Sequence, residues 1–197
     1  HISTAGSVEL VRRAKDDGLP VTAEVAPHHL SLTEELLTGY DAVFKVNPPL
    51  RTMADIEALK SGVADGTIDA VATDHAPHPT RMKELPLDQA PPGMLGLETA
   101  LGVLVTSVNP GPVRIAELLS WNPARIAGIS DRHGRPVAPG EPANLAVWSN
   151  ESVWTVSRDD TASRSRNNPY HGMELRGRAV HTVHDGETVV RNGEAVK

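Results

Sequence analysis

Ile68-Asp69-Ala70-Val71-Ala72-Thr73-Asp74-His75-Ala76-Pro77-His78 is a short, β-branched run that passes directly into a cluster of ionisable side chains. Apolar and β-branched residues bounded by turn formers read as a buried strand. An acid at the end of such a strand is costly to bury unless a hydrogen-bond donor or a positive charge faces it. A metal ion meets that need, and so does a role for Asp74 as a cap on the next segment; both readings of this residue stand at this level. His75 and His78, one and four residues beyond Asp74, need not point the same way, so the two are not read as a pair of ligands.

Upstream, Thr52-Met53-Ala54-Asp55 starts a helix whose apolar side is Ile56, Leu59 and Val63, ended by Gly66. The Thr hydroxyl can accept a first-turn N–H, and Asp55 suits the positive helix end. Val21-Thr22-Ala23-Glu24-Val25, stopped by Pro27, reads as a second strand, and Val43-Phe44-Lys45-Val46, ended by Asn47-Pro48-Pro49, as another extended piece. Thr33 caps a brief helix through Leu37. Val8, Val11 and Ala14 share one stripe of a helix expected over about residues 7–17. Strand, helix, strand, helix, strand is the rhythm of parallel α/β units.

Downstream, residues 79–96 are rich in Pro and polar groups, and a loop of this length is more often a functional lid than a mere connection. Helices are expected at Leu97–Ser107 and at Val113–Ala127, the second with an interruption at Asn122-Pro123. After Gly128 the pattern turns to β: Asn144–Trp148, Val153–Val156 and Ala179–Val183 read as strands, and Asp185-Gly186 as a two-residue hairpin turn.

The 197 residues are 39% hydrophobic and 22% charged, which fits a globular chain of one or two domains. The net charge of -6 supplies no basic field for a phosphate backbone, so nucleic acid is not expected as a partner. Residues 1–130 hold 10 basic and 16 acidic side chains and residues 131–197 hold 9 of each, so the negative excess lies wholly in the first region. There is no cysteine, which removes disulfides, thiolate ligands and thiol nucleophiles together and is compatible with a reducing cytoplasm. No apolar run approaches the roughly 20 residues that span a bilayer, so no membrane partner is expected. His1-Ile2-Ser3-Thr4 lacks an initiator Met and reads as the end of a strand, so the chain is expected to be a piece of something longer.

Five of the nine histidines, at positions 1, 28, 29, 75 and 78, fall in the first 78 residues, four of them at or just past expected strand ends. In parallel α/β proteins active sites are built there. Adjacent side chains in an extended turn diverge, so His28 and His29 read as structural or supporting residues. Asn47 before two prolines is at face value turn chemistry. His133, His171, His181 and His184 lie in the β-rich tail and receive no site role.

Taken together, His1–Ser7, Val21–Leu30, Lys45–Arg51, Ala72–His78 and Gly96–Ala100 resemble dihydroorotases of the bacterial class I type, five motifs in that family's order and spacing. Gly134-Arg135-Pro136, Asn144-Leu145 and Asn168-Pro169-Tyr170 extend the resemblance to the end of the chain. It implies membership of the amidohydrolase superfamily and an α/β fold. Residues 1–130 would be the C-terminal part of a (β/α)8 TIM-type barrel, about strands 6 to 8, and residues 131–197 a β-rich part of a small β-sandwich domain.

The resemblance further implies that His1 and Asp74 bind zinc, in a centre of two ions, and that Asp74 shuttles the proton. Asn47, His78, Pro92 and Gly93 would hold the substrate. The implied reaction is the reversible cyclisation of N-carbamoyl-L-aspartate to L-dihydroorotate in pyrimidine biosynthesis, by a cytoplasmic homo-oligomer, with a transcarbamoylase as a further partner. The family's first-strand His-x-His pair, bridging carboxylate, fifth-strand histidine and substrate-gripping arginine and asparagine have no counterpart at or after position 1. Half a site is therefore expected here, and three βα units cannot close a barrel that takes about 250 residues. Two rival readings are another cyclic amidase, of hydantoinase or allantoinase type, and an inactive dihydroorotase-like scaffold subunit.

Overall fold

Thr4 begins the first helix by accepting the Ser7 N–H on its hydroxyl at 3.1 Å, and α1 runs over Ala5–Asp16 with Val8 turned into the core. The computed structural model in which this is seen describes residues 1–196. Helix α2, Met53–Asp65, starts with a capping box in which Thr52 and Asp55 each satisfy the other's backbone N–H. The second oxygen of Asp55 accepts the Ala5 N–H at 2.9 Å, so one carboxylate serves the first turns of two helices. These bonds, that from Ala5 foremost, hold the Asp55 carboxyl below its ordinary range.

Each helix alternates with a short strand, β1 (Glu24–Val25) after α1 and β2 (Ala70–Val71) after α2, and the two pair in parallel, Glu24 to Ala70 and Val25 to Val71. Ile2 donates its N–H to the Glu24 carbonyl at 2.9 Å, so the first residues run along the other side of β1. Both strands are shorter than the sequence predicts. At their N-terminal ends the ladder yields to side chains, because the Asp69 carboxylate takes the Ala23 N–H at 2.8 Å and also pairs with Lys15.

Val8, Val25, Leu30, Leu59, Val63, Ile68, Val71, Leu104, Val105, Ile115 and Leu118 form the core around this pair. Each aliphatic side chain buried there contributes roughly 1.5–3 kcal/mol relative to exposure.

Several local expectations need correction. Residues 43 and 44 are not extended: Ala42–Phe44 is a 3-10 turn, because Asp41 accepts the Val43 N–H and closes it, and the backbone becomes extended at Lys45. The brief helix after Thr33 is a 3-10 helix, Glu34–Gly39, and the Thr33 side chain does not cap it. The 79–96 segment is packed rather than loose. It contains α3 (Thr80–Lys83), and Lys83, Ala90, Met94 and Leu95 are buried. Helix α4 begins at Ala100 (Ala100–Ser107), not Leu97, because the Gly96 and Leu97 N–H groups are donated to His75 Nδ1 at 3.2 Å each. The next helix is not broken at Asn122-Pro123. α5 (Pro112–Ala116) continues through a π turn at Glu117–Trp121 into α6 (Asn122–Ile126). Pro123 has no N–H to offer, and the wider turn accommodates that gap in the ladder.

The tail forms a four-stranded antiparallel sheet in the order β3 (Leu145–Thr155), β4 (Glu174–His184), β5 (Glu187–Arg191), β6 (Glu194–Ala195). The two strands expected at 144–148 and 153–156 are one strand, with irregularities between Val147 and Trp148 and between Ser149 and Val153. Asp185 and Gly186 both have positive φ (48° and 85°), as a hairpin turn of the expected kind requires. Helix α4 joins the two regions, with Leu104 and Val105 in the first core and Val103 in a second one with Leu32, Val46, Leu50, Met94, Val156, Tyr170 and Leu175. Its approach to β4 needs glycine: a Cβ on Gly177 (φ 94°) would lie 2.9 Å from Val105 Cγ2. The Tyr170 hydroxyl meets Ser31 Oγ at 2.9 Å and ties the tail to the turn after β1.

Candidate functional site

The ends of the first residues, β1 and β2 deliver three groups to one place. His1 Nε2 lies 3.5 Å from Asp74 Oδ1, and His28 Nε2 lies 3.9 Å from Asp74 Oδ2. Asp74 reaches this position from a left-handed backbone (φ 47°), a conformation that Asp tolerates better than most residues. Its carboxyl is raised above the ordinary carboxylate range by burial. His1 is held from its other side, where Nδ1 sits 2.9 Å from Glu24 Oε1. A carboxylate on one imidazole nitrogen fixes the tautomer and turns the other nitrogen outward as a donor to a metal.

His28 and His29 lie on a 3-10 turn, Pro27–Leu30, and both are buried. Their rings are 4.4 Å apart and serve different neighbours. His29 Nε2 meets the Pro48 carbonyl at 2.9 Å, while His28 Nε2 faces Asp74 and has no hydrogen-bond partner. Burial drives the His28 pKa down to about 3, and it lowers that of His29 as well, so both rings are neutral at ordinary pH.

A second group of the residues singled out from sequence also comes together. His78 Nε2 lies 3.0 Å from the Pro92 carbonyl, and its backbone N–H is donated to Asn167 Oδ1 at 3.3 Å. Gly93 adopts φ 135°, and a Cβ there would fall 2.7 Å from Ala76 Cβ and 2.8 Å from His78 Nε2. The Gly93 N–H is donated to the Lys45 carbonyl at 2.8 Å, two residues before Asn47 in the chain. Asn47 is exposed. A separate concavity of about 410 Å3, between α4 and the antiparallel sheet, is lined by none of these residues.

The structure thus brings His1 to Asp74, and His78 to Pro92 and Gly93. Three further residues were not anticipated from sequence. Glu24 carries one signal, a charge inside an otherwise apolar β-branched run. Lys83 and Asn167, which bind the Pro92–Gly93 region through backbone carbonyls, carry none: Lys83 acts within a loop without periodicity, and Asn167 acts across 74 residues.

Among the described residues no group of three or more His, Cys, Asp or Glu is arranged to hold a metal ion by itself. One imidazole and one carboxylate converging within 3.5 Å, beside a buried imidazole nitrogen without a partner among the described residues, nevertheless suit part of a zinc site by donor chemistry.

The amidohydrolase family model matches residues 1–189. A dihydroorotase of Leifsonia xyli subsp. xyli is 50% identical over 201 residues, which cover 100% of this chain and 46% of that protein. A dihydroorotase of Streptomyces coelicolor is 52% identical over 198 residues, covering 98% of this chain and 46% of that protein. Among solved structures, L-hydantoinase from Arthrobacter aurescens superimposes with a TM-score of 0.92 at 30% identity, over 100% of this chain and 45% of its own. The dihydropyrimidinase from Brevibacillus agri gives 0.91 at 25% identity, also over 45% of its length. The fold is therefore that of the matching part of these amidohydrolase structures, and the chain spans about half the length of the relatives it matches.

Proposed function

Because this chain belongs to the amidohydrolase family, we propose that the protein carrying it is a zinc-dependent dihydroorotase. It interconverts N-carbamoyl-L-aspartate and L-dihydroorotate in cytoplasmic pyrimidine synthesis. The observation that carries this reading is the convergence of His1 and Asp74 at 3.5 Å at neighbouring strand ends. Identity near 50% to dihydroorotases, against 30% to the hydantoinase, supports the choice of substrate. In this reading residues 1–130 complete a barrel with upstream sequence, and residues 131–197 belong to the small domain.

His1 and Asp74 would hold zinc, with most ligands of a two-ion centre supplied by residues before position 1. Zinc supplies Lewis acidity that makes water a competent nucleophile near neutral pH. Glu24 keeps the His1 ring in register. In the hydrolytic direction water attacks the ring carbonyl of dihydroorotate and Asp74 takes its proton. The C–N bond then breaks, and Asp74 returns the proton to the departing nitrogen. His78, Asn47 and the Pro92–Gly93 peptide bind the anionic substrate.

The test is a turnover assay of the whole natural polypeptide with dihydroorotate, hydantoin and allantoin, beside its metal content. Dihydroorotate should be preferred, and activity should fall on chelation and return with zinc. A preference for hydantoin or allantoin would favour the other cyclic amidases. A metal-free protein that is inert to all three and binds a transcarbamoylase would favour the scaffold reading, against which the retained His1 and Asp74 count.

A further inference from the structure

Gly93 is fixed at both ends of its peptide geometry. Its N–H goes to the Lys45 carbonyl at 2.8 Å, and its carbonyl accepts two donors, Lys83 Nζ at 2.9 Å and Asn167 Nδ2 at 3.2 Å. Lys83 comes from within the same loop, and its ammonium also reaches the Pro91 carbonyl at 3.0 Å and the Lys45 carbonyl at 3.4 Å. Asn167 comes from the segment between β3 and β4. It also donates to the Ala76 carbonyl at 2.9 Å, accepts the His78 N–H at 3.3 Å, and accepts the Leu95 N–H on its own carbonyl at 3.0 Å.

Both side chains are costly to place. Lys83 and Asn167 are 7% and 3% exposed, and burying an ammonium or an amide is unfavourable unless its hydrogen bonds are replaced. Here they are replaced by the Pro91 and Gly93 carbonyls of the loop, by the carbonyls of Lys45 and Ala76, and by the His78 N–H. Burial and the neighbouring Lys45 lower the Lys83 pKa to about 8, which leaves it charged at neutral pH.

We infer that Lys83 and Asn167 are a pair of positioning residues that hold the Pro92–Gly93 peptide and His78 in the arrangement that receives substrate. Lys83 acts from inside the loop and Asn167 from the β-rich region. The inference rests on the proposed substrate-binding role of His78, Pro92 and Gly93. It makes segment 79–96 a braced wall of the site instead of a lid.

The experiment uses the whole natural polypeptide with Asn167→Ala, Lys83→Met and Lys83→Arg, and with Asn167→Asp as the milder change should alanine fail to fold. Asn167→Asp keeps the acceptor for His78 and removes the donor to Gly93. Amide hydrogen exchange over residues 91–96 should rise in Asn167→Ala, Asn167→Asp and Lys83→Met while α1 and α2 stay protected, and Lys83→Arg should restore protection.

With dihydroorotate, KM should rise about tenfold while kcat stays within about threefold of wild type and metal content is unchanged, the pattern of lost substrate binding. Unchanged exchange over 91–96, an unchanged KM in folded variants, or a kcat loss that tracks metal loss would overturn the inference. A wild-type polypeptide without dihydroorotate turnover would count against the functional reading alone. The exchange data would still decide the brace, and the same KM split would be read with whichever cyclic amide the protein hydrolyses.

Discussion

The parallel pair β1–β2 is two residues deep, whereas β3 and β4 each run for 11 residues. The long antiparallel strands pair with one another, and β4 turns into β5 through a hairpin whose turn is written in two adjacent residues. The short parallel strands give out within a turn of chain: at one end the Asp69 carboxylate takes the Ala23 N–H, and at the other, past the bond from the Ala72 N–H to the Val25 carbonyl, the side chains of His1, His28 and Asp74 converge. Chemistry gathers where the ladder stops. The sheet contributes to the site through a connecting segment that leaves it, which carries Asn167 and Tyr170.

The contrast breaks most severely at Asp74. In the whole natural polypeptide, Asp74→Asn should lower kcat by about 10³-fold or more, as expected for loss of both a ligand and a proton carrier, with the circular dichroism spectrum unchanged. Near-normal turnover would mean that the strand end is structural. Next in size is the seam between the regions. Gly177→Ala places a Cβ against Val105 from a left-handed backbone and should cost about 3 kcal/mol in urea unfolding. A loss below about 1 kcal/mol would show that α4 and β4 can separate without cost.

The buried histidines sharpen the comparison through pH. His28 titrates at about 3 in the folded state against 6.5 when unfolded, so as pH falls the unfolded chain takes up its proton first. The stability is therefore present in full above 6.5 and lost progressively towards 3. From about pH 7 to about pH 5 the first region should lose about 2 kcal/mol, and His28→Gln should flatten the slope, as followed by urea midpoints. The smallest expected effect is Tyr170→Phe. It removes one buried hydrogen bond to Ser31 and should cost about 1 kcal/mol without altering hydrogen exchange in β5.

How far these features were legible depended on whether their signals were local. Thr52 and Asp55 are three residues apart, and Asp185-Gly186 are neighbours, so the helix start and the hairpin are readable directly from sequence. Asp74 stands out because a carboxylate after Ala70-Val71-Ala72-Thr73 violates the pattern of its own strand. The π turn before Asn122 was not legible, since proline marks a lost N–H and not how the helix absorbs it. The bonds from Lys83 and Asn167 to Gly93 span 10 and 74 residues, and no periodicity carries information over the longer of those separations. The aim of His28 at Asp74 was not legible, because it depends on how two strand ends meet.

Asp55 gives the helix caps a significance beyond stability. By anchoring Ala5 from α2, this carboxylate governs where the polypeptide stands four residues before α1 takes another turn, which is where His1 projects. The alignment of an imidazole with its acidic counterpart is thus inherited from a surface helix start fifty-odd residues away. Substitution at that outlying position should disturb ion affinity before it disturbs folding.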